Sequence, residues 1–422
     1  MPVTTDVLRP DDVDLSDLRF WARPLHEREQ VFARLRTLER PPFFDEPDFS
    51  HLGFPPGDGY FGLVRHADII EASRNPQVFC SSRGSVANTL DPPPEILEYI
   101  ASMINMDDPR HARLRRIVSR AFTPKMISKI RDDVDRAAAR IVEEIRPAGG
   151  GDFVTEVAAR LPLKIICDLM GIPESEYQGV FDRSNIIIGA FDPEYVPDFA
   201  AVQLAIMTAA EELRQLVIGL AEEREADPTD DLTSVLVHAD VEGERLTREE
   251  LGSFFILLVV AGNETTRNAI AHGLKLLTLN PDQKALWMSD FDRHAPGAVE
   301  EIVRCASPVT FMRRTVTRDY QMANGQRFKD GDKVLMYYWS ANRDEAIFTD
   351  PYTFDITRNP NPHLGFGAAG PHFCLGAHLA RMEITVMFRE LLRQVPDIRS
   401  TAPPERLASS FINGIKHLPY EI

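Results

Sequence analysis

Apolar residues recur at three- and four-residue intervals along most of the chain, the period of helices packed on one side. Between Lys125 and Arg146 they fall at Ile127, Ile130, Val134, Ala138, Ile141 and Ile145. Leu25 to Glu39 carries Val31, Leu35 and Leu38 among charges, and Phe199 to Glu225 repeats the spacing. The longest such pattern opens at Thr247, which with Glu250 makes the T-x-x-E of a capping box. It runs through Asn263 and Glu264 to about Leu279, where Pro281 stops it. At 1.5 Å per residue it spans roughly 50 Å, and a helix so apolar must be buried. Strand signals are fewer. One is Tyr60 to Arg65; a second region joins Arg314 to Met322 and Lys333 to Tyr338 around turns at Asn324-Gly325 and Asp330-Gly331. Ile415 to Ile422 adds another, and Gly149 to Gly151 reads as a loop between helices. No repeat and no Gly/Ser linker divides the chain. The expectation is a single domain, 1–422, mainly α with a small β portion and with an extended segment at 1–24.

Composition narrows the function. Of 422 residues, 44% are hydrophobic and 26% charged, ordinary for a globular chain. A net charge of −17 makes a poor general binder of nucleic acid or anionic lipid. The four cysteines, Cys80, Cys167, Cys305 and Cys374, form no CxxC and no zinc pattern, which suits a reduced, cytosolic protein. Met1 to Asp12 has no apolar core, so no signal peptide is expected. The longest apolar stretch, Phe254 to Ala261, is far short of the ~20 residues that span a bilayer. A soluble cytoplasmic protein is the starting point.

One segment stands out chemically. His363 to Ala377 reads HLGFGAAGPHFCLGA, and a helical pattern follows Cys374 directly. Glycine permits close backbone approach and positive φ. A Cys at a helix N-terminus meets backbone N–H groups and the positive dipole end, which favour the thiolate that a metal takes. Three further patterns accompany it. Glu301 and Arg304 make E-x-x-R on a helix from Ala298 to Ala306. Ala261 to Thr266, AGNETT, sets an acid and two hydroxyls inside an apolar helix, which is locally unfavourable. Asp108 to Arg116, DPRHARLRR, places His111 and Arg115 on one helix face, and Arg suits carboxylate pairing.

In order and spacing these four patterns resemble the cytochrome P450 family, over nearly the whole chain from about Phe32. VAGNETTRN and GPHFCLGAHLAR carry the resemblance most specifically. The glycine-rich loop resembles the haem-binding signature F-x-x-G-x-x-x-C-x-G, with Gly370, Cys374 and Gly376 in register and His372 at a frequent basic position. Phe366 stands eight residues before Cys374 where the common spacing is seven, so one residue is inserted within Gly367 to Ala369. This longer loop is similar to that of an actinobacterial branch that oxidises sterols and methyl-branched lipids.

The resemblance implies a P450 fold with haem b buried between the long helix and the Cys loop. It implies Cys374 as the iron ligand, with Ala261, Gly262, Phe366, Gly367 and Gly376 against the haem. His111, Arg115, Arg314 and His372 would take the propionates, Arg313 being the neighbouring choice to Arg314. Glu301, Arg304 and Arg358 would form a buried structural network. Gly262 would leave room for dioxygen, Thr265 would open the helix and hydrogen-bond the reacting oxygen, and Glu264 would link to solvent and supply protons. The implied activity is a monooxygenase fed by a ferredoxin and a ferredoxin reductase, since no flavin, nucleotide or iron–sulfur module is visible. A haem-thiolate ligand-binding or sensor protein without turnover is the alternative. Arg110, Arg113, Arg116, Arg120 and Lys125 would dock an acidic ferredoxin. The family's pocket segments here supply Val86, Leu90, Ile96, Ile186 to Ile188 with Ile187 at the centre, Phe191, Val260, Val309, Phe311, Phe411 and Ile412. That almost wholly apolar set suits a ligand held by burial: a methyl-branched fatty acid, isoprenoid or sterol side chain, hydroxylated near its terminal methyl.

Overall fold

The computed structural model describes residues 13–47, 57–89, 91, 102–121, 124–241 and 243–422. Thr247 caps the central helix, Arg248–Leu279, whose 32 residues make it roughly 48 Å long. The Thr247 hydroxyl accepts the Glu250 N–H at 3.1 Å while the Glu250 carboxylate accepts the Thr247 N–H at 3.0 Å. Two N–H groups that a helix start leaves bare are thereby met reciprocally. At the other end the next helix begins with Pro281. Helices Arg160–Met170, Tyr177–Gly189, Val202–Ala226, Phe291–Ala306 and Ala377–Gln394 pack around it. From Asn263 to Leu274 every residue of the central helix but Thr265 is buried. The polar ones among them must therefore find partners inside the protein.

The other long periodicities also form helices, at Leu25–Arg36 and Pro124–Ile145, while Phe199–Ala201 is a short 3-10 turn before Val202–Ala226. Five strands make the larger sheet, in the spatial order Phe43–Phe44, Tyr60–Leu63, Lys333–Met336, Met312–Val316, Phe79–Cys80. Tyr60–Leu63 and Lys333–Met336 run parallel and the other pairs antiparallel. The strand expected from Arg314 to Met322 is in fact two. Met312–Val316 lies in the sheet, and Tyr320–Gln321 turns through Gly325, at φ +86°, to pair with Arg327–Phe328. The loop expected at Gly149 to Gly151 is corrected as well. Gly149 turns the chain at φ +72°, and Gly150–Asp152 is a strand paired with Pro419–Glu421. Small residues without apolar alternation carry no strand signal, and the partner lies at the other end of the chain. Within 1–24, Leu18–Trp21 forms a helical turn capped by Asp17, and Trp21 stacks on Tyr337 with ring centres 6.2 Å apart.

Candidate active site

The segment into Cys374 is a loop closed by a hydrogen bond from the Cys374 N–H to the Phe366 carbonyl, 3.0 Å. Gly367 turns it at φ +84°, and a Cβ on Gly370 would stand 2.5 Å from the Ser73 carbonyl oxygen. Phe366 keeps its backbone bond to Cys374 despite the eight-residue spacing, and its ring lies against the Arg381 guanidinium at 4.2 Å. Helix Ala377–Gln394 follows at once. Protein crowds the Cys374 sulfur. Loss of water pushes the thiol up, against the Gly376 N–H, Arg115 and Arg381, which pull it down. The helix start and two guanidiniums thus favour thiolate while burial opposes it.

Nitrogen donors surround this loop. Arg115, on helix Arg110–Ala121, donates to the Pro371 and Phe373 carbonyls at 2.8 and 2.6 Å, so it braces the loop. His111 and His372 pack with ring centres 4.3 Å apart. His372 contacts the Ser81 hydroxyl at 3.1 Å. Burial, then Arg314, His111 and Arg115, hold it neutral, down to about 2. His111 stands 3.5 Å from Asp108 through Nδ1, and its buried Nε2 has no partner among the described residues. Strand alternation separates the two candidate arginines. Arg313 turns to Asp91 and the Thr89 carbonyl. Arg314 turns the other way, to a small cavity shared with His372, Tyr338 and Gly370. Its guanidinium is buried and donates to the Arg313 carbonyl at 2.7 Å. Buried donors with capacity to spare, set around a thiol, fit a haem carrying two carboxylates.

A cavity of about 1180 Å³ borders the central helix at Val260, Ala261 and Thr265. Val86, Ile187 and Phe191 line it, as do Val309, Phe311, Phe411 and Ile412. Leu90 and Ile96 lie outside the described residues. The apolar expectation missed a polar part of the wall, with Arg110, Arg214, Glu249 and Glu250.

In the AGNETT segment the helix expected to open at Thr265 is unbroken, and Gly262 and Glu264 have neighbours inside the protein. The Thr265 hydroxyl donates to the Ala261 carbonyl at 2.6 Å, and the helix stays unbroken through it. A Cβ on Gly262 would meet the Ile166 side chain at 2.7 Å. Gly262 therefore lets helix Arg160–Met170 approach and is not in the cavity wall. Glu264 is turned inward, 1% exposed, ion-paired with Arg267 and accepting from Asn268 Nδ2 at 2.7 Å. Successive helix residues point about 100° apart, so the acid and Thr265 face different neighbours.

Glu301 and Arg304 are both at 0% exposure, with Arg304 donating to the two carboxylate oxygens at 2.8 and 2.7 Å. Arg358 reaches Glu301 at 3.2 Å, and Asn361, not foreseen, at 3.0 Å. Arg304 also holds the Asn342 and Pro351 carbonyls, tying its helix to the chain that leads into the Cys loop. The basic run is divided by its helix. Arg113 pairs with Glu250 at 2.7 Å, Arg116 leans on Glu244 at 3.6 Å, and Arg110 is in the cavity wall. The side chain of Lys125 lies outside the description. Glu383, on the helix after Cys374, was missed altogether. It is 2% exposed, hydrogen-bonded by Thr266, and its Oε1 has no partner among the described residues. Burial pushes it up to about 8. Its signal was an acid three and four residues before Val386 and Met387, in that helix's apolar stripe.

The family model for Cytochrome P450 matches residues 96–396. The chain belongs to that family, and it is a haem-thiolate monooxygenase. A methyl-branched lipid omega-hydroxylase of Mycobacterium bovis is 50% identical over 411 residues, covering 97% of this chain and 94% of its own. A steroid C26-monooxygenase of the same organism is 39% identical over 413 residues, covering 97% and 92%. Among solved structures, a Mycobacterium marinum cytochrome P450 in complex with pseudoionone is similar at a TM-score of 0.90 and 41% identity, covering 98% of this chain and 100% of that one. Among the described residues no helix is long and apolar enough to cross a membrane.

Proposed function

We propose that this P450 hydroxylates a methyl-branched lipid, whether fatty acid, isoprenoid or sterol side chain, at or near its terminal methyl. The observation that carries the reading is the shape of the cavity. Glu250 and Thr265 both line it, and fifteen residues of helix set them roughly 22 Å apart. A space that long, apolar around Ala261 and polar around Glu250 and Arg214, suits a long hydrocarbon with a polar head. The relatives named for methyl-branched lipid and steroid oxidation support the same substrate class.

Haem b would be held by the Cys374 thiolate, with its propionates taken by His111, Arg314 and His372, and when bound it supplies oxygen activation with electron donation from the sulfur. Ala261, with only a methyl side chain on the cavity wall beside Thr265, leaves room for a terminal methyl. Val260, Phe311 and Phe411 exclude water around it. Thr265 lines the cavity with its Oγ1 proton given to the Ala261 carbonyl and would pass it inward by turning about χ1, while Arg110 and Arg214 orient the polar head. Electrons come from a separate ferredoxin and ferredoxin reductase, in the cytoplasm. The test titrates branched lipids, straight fatty acids, sterols and small polar aromatics against the Soret band and analyses products with a ferredoxin, its reductase and NADH. Branched lipids should shift the band and give terminal alcohols. A response to the small polar compounds alone would refute the substrate.

A further inference from the structure

Four cations meet inside the fold, outside the cavity wall. Arg28 comes from helix Leu25–Arg36, Lys275 from the central helix, Arg343 from the turn after Tyr338–Ala341, and Arg406 from strand Glu405–Arg406. Trp339 gathers two of them, with the Arg343 guanidinium 4.1 Å and that of Arg28 5.6 Å from its ring centre. Arg406 and Lys275 stand close enough to add to the mutual repulsion. Facing them is the carboxylate of Glu29, 3.4 Å from Arg343.

Their hydrogen bonding is uneven. Arg343 is spent on the Trp339 and Cys305 carbonyls, at 3.1 and 2.7 Å. Arg406 donates to Asn413 Oδ1 at 3.2 Å, and His272 contacts the Asn413 carbonyl at 3.0 Å. Arg28 is 2% exposed, and its Nε and Nη2 have no partner among the described residues. Burial, then Arg406 and Arg343, press Arg28 down to about 9. Burial, Arg406 and Arg28 press Lys275 down to about 8. At neutral pH both still carry charge. An arginine keeps its proton across the ordinary pH range, and a buried charge is tolerated only when paired. Water at Arg28 would satisfy the N–H groups but would leave one carboxylate, Glu29, facing four cations.

We propose that this cluster is a binding site for a small oxyanion, inorganic phosphate or a phosphomonoester, seated between Arg28, Lys275 and Arg406. A tetrahedral oxyanion presents acceptors in several directions. It can take Nε and Nη2 of Arg28 as a fork while Lys275 and Arg406, both only partly buried, add their charge beside it. Asn413 follows Phe411 and Ile412 of the cavity wall, so an anion held by Arg406 fastens that hairpin to the N-terminal helix.

The experiment follows thermal unfolding of the purified holoprotein at constant ionic strength. Inorganic phosphate, sulfate or glycerol phosphate replaces chloride stepwise. A ligand that binds only the native state raises Tm saturably. Half-saturation should fall at millimolar phosphate or below and weaken tenfold or more in Arg28→Gln, Arg406→Gln and Lys275→Gln. Each variant is compared with itself in chloride, so its own baseline stability does not enter. Excluded anions stabilise without saturation and in every variant alike; that pattern would overturn the site. A response to phosphate and sulfate alone assigns a free ion, and a response to glycerol phosphate as well assigns a phosphomonoester.

Discussion

Glu383→Gln replaces a buried carboxyl by a neutral side chain of nearly the same shape. Glu383 is 2% exposed, and burial lifts its carboxyl from 4.5 to about 8 against the single pull of Thr266. The unfolded chain gives up this proton near the lower value, and the native protein keeps it to the higher one. Between the two the native state binds more protons, so stability falls as pH rises. The slope is about 1.4 kcal/mol per pH unit. From about pH 5 to about pH 8 the wild type therefore loses on the order of 4 kcal/mol through this group. The glutamine variant loses none of that and keeps an acceptor for Thr266 Oγ1. Urea unfolding of both holoproteins, at half-unit steps across the window, measures the difference. The two should be nearly equal at the acid end, with the variant clearly the more stable at the alkaline end. A difference that stayed flat would mean that Glu383 is already ionised in the native state, and the reasoning from burial would fail.

Cys374→Ala should abolish the red-shifted Soret band of the reduced, CO-treated protein; a variant that kept it would remove Cys374 from the iron. Thr265→Ala should bind substrate normally but divert NADH electrons to peroxide, read as product formed per NADH consumed, and unchanged coupling would refute its proton role. Glu301→Ala leaves Arg304 and Arg358 buried without their carboxylate, and should cost about 3–5 kcal/mol in chemical unfolding; a loss under about 1 kcal/mol, no more than a surface pair is worth, would show the network to be ornamental.

Local chemistry was legible in the sequence where it was written locally. Thr247 and Glu250 announce a helix start because a capping box is a short-range bond pattern, and the glycines around Cys374 announce a tight loop for a similar reason. Arg314 was separable from Arg313 only once the strand register was known. The neighbours of Glu264 and Gly262 were not legible because a motif string does not say what each position of a helix faces. The Ile166 side chain beside Gly262 and the Arg267 beside Glu264 decide that. The strand at Gly150–Asp152 was invisible because its stability comes from Pro419–Glu421, some 270 residues away, and not from its own side chains. The basic run from Arg110 to Arg116 read as one patch until Glu244 and Glu250, from another part of the chain, took two of its charges.

Asn268 joins two regions that the sequence keeps apart. Its Nδ2 donates to Glu264 at 2.7 Å and its Oδ1 accepts the Ile415 N–H at 2.8 Å. Only a side chain with a donor and an acceptor at that reach serves both: Asp lacks the donor, Leu lacks both, and Gln is one methylene too long. The hairpin on one side of this amide carries Phe411 and Ile412, which shape the cavity. The acid on its other side never meets the cavity at all. Redesign that varies only residues in sight of the substrate would pass over position 268. Yet the amide that holds the hairpin at Ile415 also holds Glu264, so moving the hairpin pulls on one of the two side chains that fix the buried acid, Arg267 being the other.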